Sequence, residues 1–305
     1  MKPKLSIGLP VYNGERYLGS ALEALLGQTF GQFEIVLCDN ASTDGTADIA
    51  ARYARADARV RVHRNRRNVG GAPNFNLTFA LSSGPFFKWA AHDDLHRPDY
   101  LAECMAVVER DDSVVLCHSE VELIDGDGNV TGPHDEGLTL VGSACPAVRF
   151  RDLILGDHWC TDVFGVMRRS ALARTPLIAS YVGSDRNLLA ELGLLGRYHR
   201  VQGRLFQNRD HAERSVNATD VRSPDRATWF DPKLRGKVSL PFFRSWYEYL
   251  AAVQRAPLSA RQRRDCYAAL AAWLPPNRWR LRQDAEHAAR HWLRSLASRQ
   301  PQATS

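Results

Sequence analysis

Two adjacent carboxylates, Asp93 and Asp94, follow the short apolar run 86–91 and precede Pro98 in a chain of 305 residues. A strand-like run, an acidic turn and a proline of the kind tolerated in a first helical turn put these carboxylates at the C-terminal end of a strand. In open α/β sheets that edge is where ligands bind. Successive side chains of an extended chain point to opposite sides, so the pair predicts two tasks: one carboxylate for a hard divalent cation, the other to accept from a ligand hydroxyl. Asp39 ends a second apolar run, 33–38, and shares that edge if the second and fourth strands are near neighbours. An Asx turn is the plainer role for Asp39, and a helix N-cap the plainer one for Ser42 or Asp44. Two separated acidic turns converging on one edge favour a functional Asp39.

The elements that must deliver these groups alternate. Strands are predicted over 5–9, 33–38 and 60–63, and a fourth leads to Asp93. Helices are predicted over 15–28, after Thr46, from near Pro73, and over 98–109. This βα alternation predicts a mostly parallel sheet flanked by helices. A strand over 114–118 and a hairpin around Asp125-Gly126-Asp127-Gly128 follow, then a Gly-rich, weakly patterned loop over 132–146. Order returns at 160–167, in a helix opening at Ser184-Asp185 and in a strand over 198–205. Beyond about 220 the composition shifts to Trp, Arg and Ala, with three helical segments predicted between 240 and 296.

Composition is that of a soluble globular protein, 44% hydrophobic and 24% charged, with ample material for a core. A formal charge of +6 suits an anionic substrate, acidic lipid or nucleic acid. Six scattered cysteines without a C-x-x-C pair read as reduced thiols, and the N-terminus lacks the apolar region of a signal peptide, so a cytoplasmic setting is expected. No window approaches the roughly 20 apolar residues of a membrane span.

Taken in order, Pro10-Val11-Tyr12-Asn13-Gly14-Glu15, Gln28-Thr29-Phe30, Phe33-Glu34, Asp39-Asn40-Ala41-Ser42-Thr43-Asp44-Gly45-Thr46, Asn68-Val69-Gly70 and Asp93-Asp94 with Pro98 resemble family 2 glycosyltransferases. Each motif is short; their order over about a hundred residues makes the match specific. The resemblance implies a GT-A (Rossmann-like) fold over 1–220, with a donor half to about 120, an acceptor half over 121–220 and a helical C-terminal extension over 221–305. It also implies a nucleotide-sugar donor (UDP-, GDP- or dTDP-linked), Mn2+ or Mg2+, and inversion at the anomeric carbon. Position by position, Pro10, Tyr12 and Glu15 fall where the family builds the nucleotide pocket, Asp39 and Asn40 in the pair contacting base and ribose, and Asn68 and Gly70 in a loop of nucleotide contacts. Many members have Asp-Asp where this chain has Asp39-Asn40; an amide donates as well as accepts, which alters the hydrogen-bonding code. Asp93 falls on the ribose side and Asp94 on the metal. Asp185 matches the catalytic base, with Ser184 where the family usually has Glu and with Glu191 as the second candidate. In the following loop Arg209 is assigned to the diphosphate and His211 to the metal shell, a solvated histidine being the plainer alternative.

Two other classes are weaker. A nucleotidyltransferase calls for a Gly-rich basic loop after the first strand, where this chain has Pro10 to Gly14. A nucleic-acid-binding module calls for a helix-turn-helix or RNA-binding signature, and the sequence has neither, so nucleic acid is not an expected partner. Expected partners are the donor and a hydroxyl acceptor (sugar, lipid-linked sugar or small molecule), with room for oligomerisation. Trp and Arg in the tail suit peripheral contact with the inner face of the membrane, although interhelical packing explains them as simply. Asp125 to Asn129 with Glu136 imitates a calcium loop, but Val130 stands where the sharp turn needs Gly, so a hairpin turn is expected. The N-x-S/T sequons, including that at Asn217, are read as chance.

Overall fold

In the computed structural model, residues 2–135, 137–212 and 223–297 are described. Glu136, the sequon at Asn217 and the expected boundary between residues 220 and 221 lie outside them. A nine-stranded sheet runs in the order β3-β2-β1-β4-β8-β6-β9-β5, and β7, off this path, also pairs with β6. The strands are β1 (Leu5–Val11), β2 (Phe33–Asp39), β3 (Val60–Arg64), β4 (Phe86–Trp89), β5 (Leu95–His96), β6 (Val114–Ile124), β7 (Val130–His134), β8 (Val166–Arg168) and β9 (Arg197–Arg209). The first half, β3-β2-β1-β4, is wholly parallel. The second half is mixed: β6 and β9 run parallel, while β8, β7 and β5 pair antiparallel with their neighbours.

β1 and β2 are buried at every position, because helices cover both faces of the parallel half. Around the sheet lie α1 (Leu18–Leu26), α2 (Thr46–Ala56), α3 (Gly71–Ala80), α4 (Tyr100–Arg110), α5 (Pro146–Leu155), α6 (Arg169–Leu172), α7 (Ser184–Leu195), α8 (Pro224–Phe230), α9 (Pro241–Arg255) and α10 (Ala260–Ala297). β1 lies between β2 and β4, so the chain turns to opposite sides of β1 and the switch point falls between β1 and β4. The β1–β4 ladder stops at Gly8 opposite Trp89. By alternation Pro10 faces the side on which β4 has ended, so its missing N–H leaves no ladder bond unmade.

Several local expectations shift. β4 ends at Trp89, and the chain crosses the acidic turn to pair β5 with β9. β6 is one long strand through 114–124 rather than a short strand and a separate hairpin arm. Within the stretch left unassigned before residue 160, α5 buries Phe150, Leu153 and Ile154. The three expected tail helices become α8, α9 and one 38-residue α10 that contains Pro275 and Pro276. α9 and α10 pack on α5 and α7: Tyr249, Val253, Leu270 and Trp273 share one core with Phe150, Leu153, Leu189 and Leu192. All six cysteines are free. Among the described residues no helix is long and apolar enough to cross a membrane.

Candidate active site

The turn after β1 and the turn after β2 are laced together. Asn13, with φ of 51°, accepts from Thr43 N–H through Oδ1 at 2.9 Å, and its own N–H donates to Ser42 Oγ at 2.9 Å. Glu15 Oε2 accepts from Gly45 N–H at 2.6 Å, at the N-terminus of α2 where a negative charge is favoured. Glu15 is therefore a brace between the two loops. Tyr12 stands 44% exposed beside this lacework, and Pro10 is buried in β1.

Asp39 and Asn40 are both buried, with opposite outcomes. Asp39 Oδ1 accepts from Ser42 N–H at 2.9 Å. Its Oδ2 has the Arg64 guanidinium at 3.1 Å as a charge partner but no hydrogen-bond donor among the described residues, which leaves a buried acceptor for a ligand. Asn40 spends its whole amide on the chain. Nδ2 donates to Asn68 Oδ1 at 2.9 Å and Gly70 O at 3.2 Å; Oδ1 accepts from Asn65 Nδ2 at 2.9 Å and Val69 N–H at 3.0 Å. All four bonds are made, so the amide organises the loop 65–70, where a base contact was expected. Asn68 Oδ1 also takes Gly70 N–H at 2.8 Å. Gly70 has φ of 93°, and a Cβ there would lie 2.6 Å from Phe230 O, so α8 seats directly on this loop.

In the acidic turn the two carboxylates, expected on the ribose side and on the metal, have different surroundings. Asp94 is 3% exposed, and its Oδ1 accepts from Asn208 Nδ2 at 3.0 Å and Arg209 N–H at 2.9 Å. It ties the end of β9 to the sheet, in an enclosed position poorly suited to an incoming ion. Asp93 is half-buried, and its Oδ2 meets His211 Nε2 at 2.9 Å. Burial pushes the Asp93 carboxyl up, but the His211 hydrogen bond and the charges of His92 and His211 outweigh it and hold the pKa below the usual carboxylate value. Arg209, assigned to a diphosphate, is largely consumed: Nε donates to Asp93 O at 2.7 Å, and Nη1 to Asp125 O and Gly126 O at 3.0 and 3.1 Å. Its guanidinium lies 4.8 Å from the Tyr17 ring centroid, and His211 lies on the same ring, centroids 4.8 Å apart. Tyr17 and His92 are site residues that the sequence reading missed. His92 flanks the acid pair and packs on Gly14; a Cβ on Gly14 would come within 2.5 Å of its Cδ2. No sequence signal marks Tyr17, which ordinary amphipathic helix residues resemble.

Asp93 and His211 fit a hard cation. Two cis ligands of an octahedral ion, each bound at about 2.1 Å, stand about 3 Å apart, and this N···O pair is 2.9 Å apart. Among the described residues no cluster of three or more such ligands occurs, so phosphate oxygens and water would complete the shell.

Asp185 lies in the first turn of α7, half-buried, with Oδ1 accepting from Arg186 N–H at 2.8 Å. Glu191, the second candidate, is 4% exposed and takes a two-pronged ion pair from Arg255 at 2.9 and 2.8 Å, joining α7 to α9.

This architecture is that of the GT-A class. The chain superposes on residues 1–349 of TarS from S. aureus, a structure with UDP, at a TM-score of 0.63 and 16% identity, covering 91% of this chain and 72% of that one. It also superposes on the mannosyltransferase PcManGT from Pyrobaculum calidifontis, in complex with GDP-Man and Mn2+, at 0.57 and 16%, covering 95% and 75%. Residues 6–174 match glycosyl transferase family 2, and the chain belongs to that family. Among sequence relatives, EpsE of Bacillus subtilis is 35% identical over 109 residues, 35% of this chain and 39% of EpsE. Glycosyltransferase GlyG of Streptococcus pneumoniae is 28% identical over 129 residues, 42% and 43% of the two chains. The matched stretch thus spans about two fifths of these relatives' length.

Proposed function

We propose that the protein is a metal-dependent inverting glycosyltransferase that moves a sugar from a nucleotide-sugar to an acceptor hydroxyl. The observation that carries this reading is the Asp93–His211 pair, 2.9 Å apart at the strand-end edge next to the switch point. Asp93 and His211 would hold Mg2+ or Mn2+; when bound, such an ion stabilises charge on the departing diphosphate. Asp39, through its unsatisfied Oδ2, accepts from the base or ribose, and Tyr12 floors the pocket. Asp185 takes the proton of the acceptor hydroxyl as that oxygen attacks the anomeric carbon, while the nucleoside diphosphate leaves from the opposite face. The UDP bound by TarS and the GDP-Man and Mn2+ bound by PcManGT support this chemistry. They differ in nucleotide, so UDP, GDP and dTDP stay open as donor carriers.

The deciding experiment is a thermal-shift screen of UDP-, GDP- and dTDP-sugars with and without Mn2+, followed by product analysis. Metal-dependent stabilisation by one series and release of nucleoside diphosphate is the expected result. Release of pyrophosphate would assign a nucleotidyltransferase instead. Asp185→Asn should keep the donor response and lose transfer by roughly a hundredfold or more; transfer at the parent rate would move the base elsewhere. The acceptor meets the enzyme in the cytoplasm or at its membrane face. Exposed Trp279 and Trp292 beside Arg278, Arg282 and Arg290 on α10 support peripheral contact with acidic lipid.

A further inference from the structure

Lys88 and His96 are both buried, at 0% and 4% exposure, and they meet across the neck of the acidic turn, Lys88 Nζ lying 2.8 Å from His96 Nε2. Lys88 is on β4 and His96 on β5, so the segment between them is the turn that carries Asp93 and Asp94. β4 pairs with β1 and β8, and β5 with β9, so no ladder joins the two stems of the turn. The side-chain bond makes that crossing.

This bond is held at a cost to folding. An ammonium only donates, so His96 Nε2 accepts and the imidazole proton sits on Nδ1, a buried atom without a hydrogen-bond partner among the described residues. Lys88 Nζ lies 5.2 Å from the centroid of the Tyr100 ring, and burial lowers its pKa to about 7. Two apolar side chains of similar volume would fill the space more cheaply. What they would not supply is a bond of fixed length and direction. A costly buried polar pair beside a candidate site points to a task other than stability.

Each end of the bond is registered to an element of the site. Lys88 stands opposite Ile7 on β1, the strand that leads to Tyr12 and lies beside β2 with Asp39. His96 stands opposite Phe206 on β9 and packs on its ring, with centroids 5.3 Å apart, and β9 leads on to His211. The tip of the turn is tied to the same end of β9 through Asp94 Oδ1 and Asp93 O, which both accept from Arg209. The neck therefore sets where the tip stands relative to β1 and β2.

We propose that Lys88 and His96 are positioning residues for the metal ligand Asp93, their buried bond coupling the strands that lead to Tyr12 and Asp39 to the turn and β9 that present Asp93 and His211. This rests on the metal-dependent reading above.

The test uses the full chain and its Lys88→Met, Lys88→Met/His96→Leu and His96→Gln variants. Thermal unfolding at about pH 7.5 is followed with UDP, GDP and dTDP in turn, each with EDTA and with Mn2+ titrated, and the Mn2+ concentration giving half the metal-dependent shift is read. Lys88→Met and the double variant should melt no lower than the parent and keep its response to nucleotide in EDTA. Their half-saturating Mn2+ should rise roughly tenfold, at the lower end of what loss of a group supporting a metal ligand costs. His96→Gln keeps an acceptor within reach of Lys88 Nζ and should lie nearer the parent. The proposal is overturned if Lys88→Met takes up Mn2+ like the parent, if it melts lower and loses the nucleotide and Mn2+ responses together, as a merely structural role requires, or if His96→Gln needs as much Mn2+ as the double variant. A parent whose nucleotide response is indifferent to Mn2+ is a separate result, and it defeats the metal-dependent reading itself.

Discussion

Replacing Asp94 and Asp93 one at a time separates two roles that adjacent carboxylates would otherwise blur. Asp94 accepts two buried hydrogen bonds, from Asn208 Nδ2 and Arg209 N–H. Hydrogen bonds to a charged group contribute about 1.5–3 kcal/mol each, so Asp94→Ala should cost about 3–6 kcal/mol and leave two donors buried without partners. At about 2–4 °C per kcal/mol for a chain of this size, the melting temperature should fall by on the order of 10 °C. Asp93→Asn alters one hydrogen bond at a half-buried position and should cost about 1 kcal/mol. The ligand response should show the reverse pattern. A nucleotide at a hundred times its Kd stabilises by about 2.7 kcal/mol, and Asp93→Asn should lose the Mn2+-dependent part of that gain. The assay is thermal unfolding of parent and variants, with and without nucleoside diphosphate and Mn2+. An Asp94→Ala protein that melts like the parent but has lost the Mn2+ response, beside an Asp93→Asn protein that keeps it, would refute the exchange of roles.

Three further outcomes follow from other residues. Asn40→Asp puts a carboxylate against Asn68 Oδ1 and the Gly70 carbonyl, which now receive its amide hydrogens; it should destabilise by about 2–4 kcal/mol and weaken nucleotide binding, both read in one titration calorimetry and melting series. Lys88 is fully buried against His96 Nε2 at 2.8 Å, and burial pulls its pKa from 10.5 down to about 7. The unfolded chain therefore binds the proton more tightly between those values, so this group penalises folding fully below pH 7 and the penalty is relieved as pH rises towards 10.5. Lys88→Met should accordingly be more stable than the parent at pH 6.5, and less so or not at all at pH 9.5; a pH-independent difference in urea midpoints would show that the ammonium is not the cause. Sedimentation with vesicles containing acidic phosphatidylglycerol should pull down the parent in low salt and lose a Trp279→Ala, Trp292→Ala double variant, and equal recovery of the two would remove α10 from membrane contact.

Much of the first 120 residues was legible in the sequence, because the signals there are local. Apolar runs of strand length, the caps around Asp44 and Thr46, and the punctuation of Gly and Pro determine the βα alternation residue by residue. That alternation sends the C-terminal ends of β1, β2 and β4 to one edge, and with them Asp39 and the acidic turn. The first turn of α7 at Asp185 was equally readable from its opening residues. Helix α5 was hidden because the buried Arg149 interrupts an apolar face that packs on α7 and α10.

Tertiary structure alone decided what each polar group does once it reaches the edge. The pairing of β5 with β9 brings Asn208, Arg209 and His211 back to residues more than a hundred positions earlier, and that pairing gives Asp94 to the fold and Asp93 to the open side. Asn40 looked like a base contact until the folded loop supplied partners for all four of its hydrogen bonds. A carboxylate or amide in a sequence states what it can donate or accept. Which of those capacities remains for a ligand is settled by the long-range neighbours that satisfy the rest, because a buried polar group left unpaired is costly and the fold satisfies its own groups first.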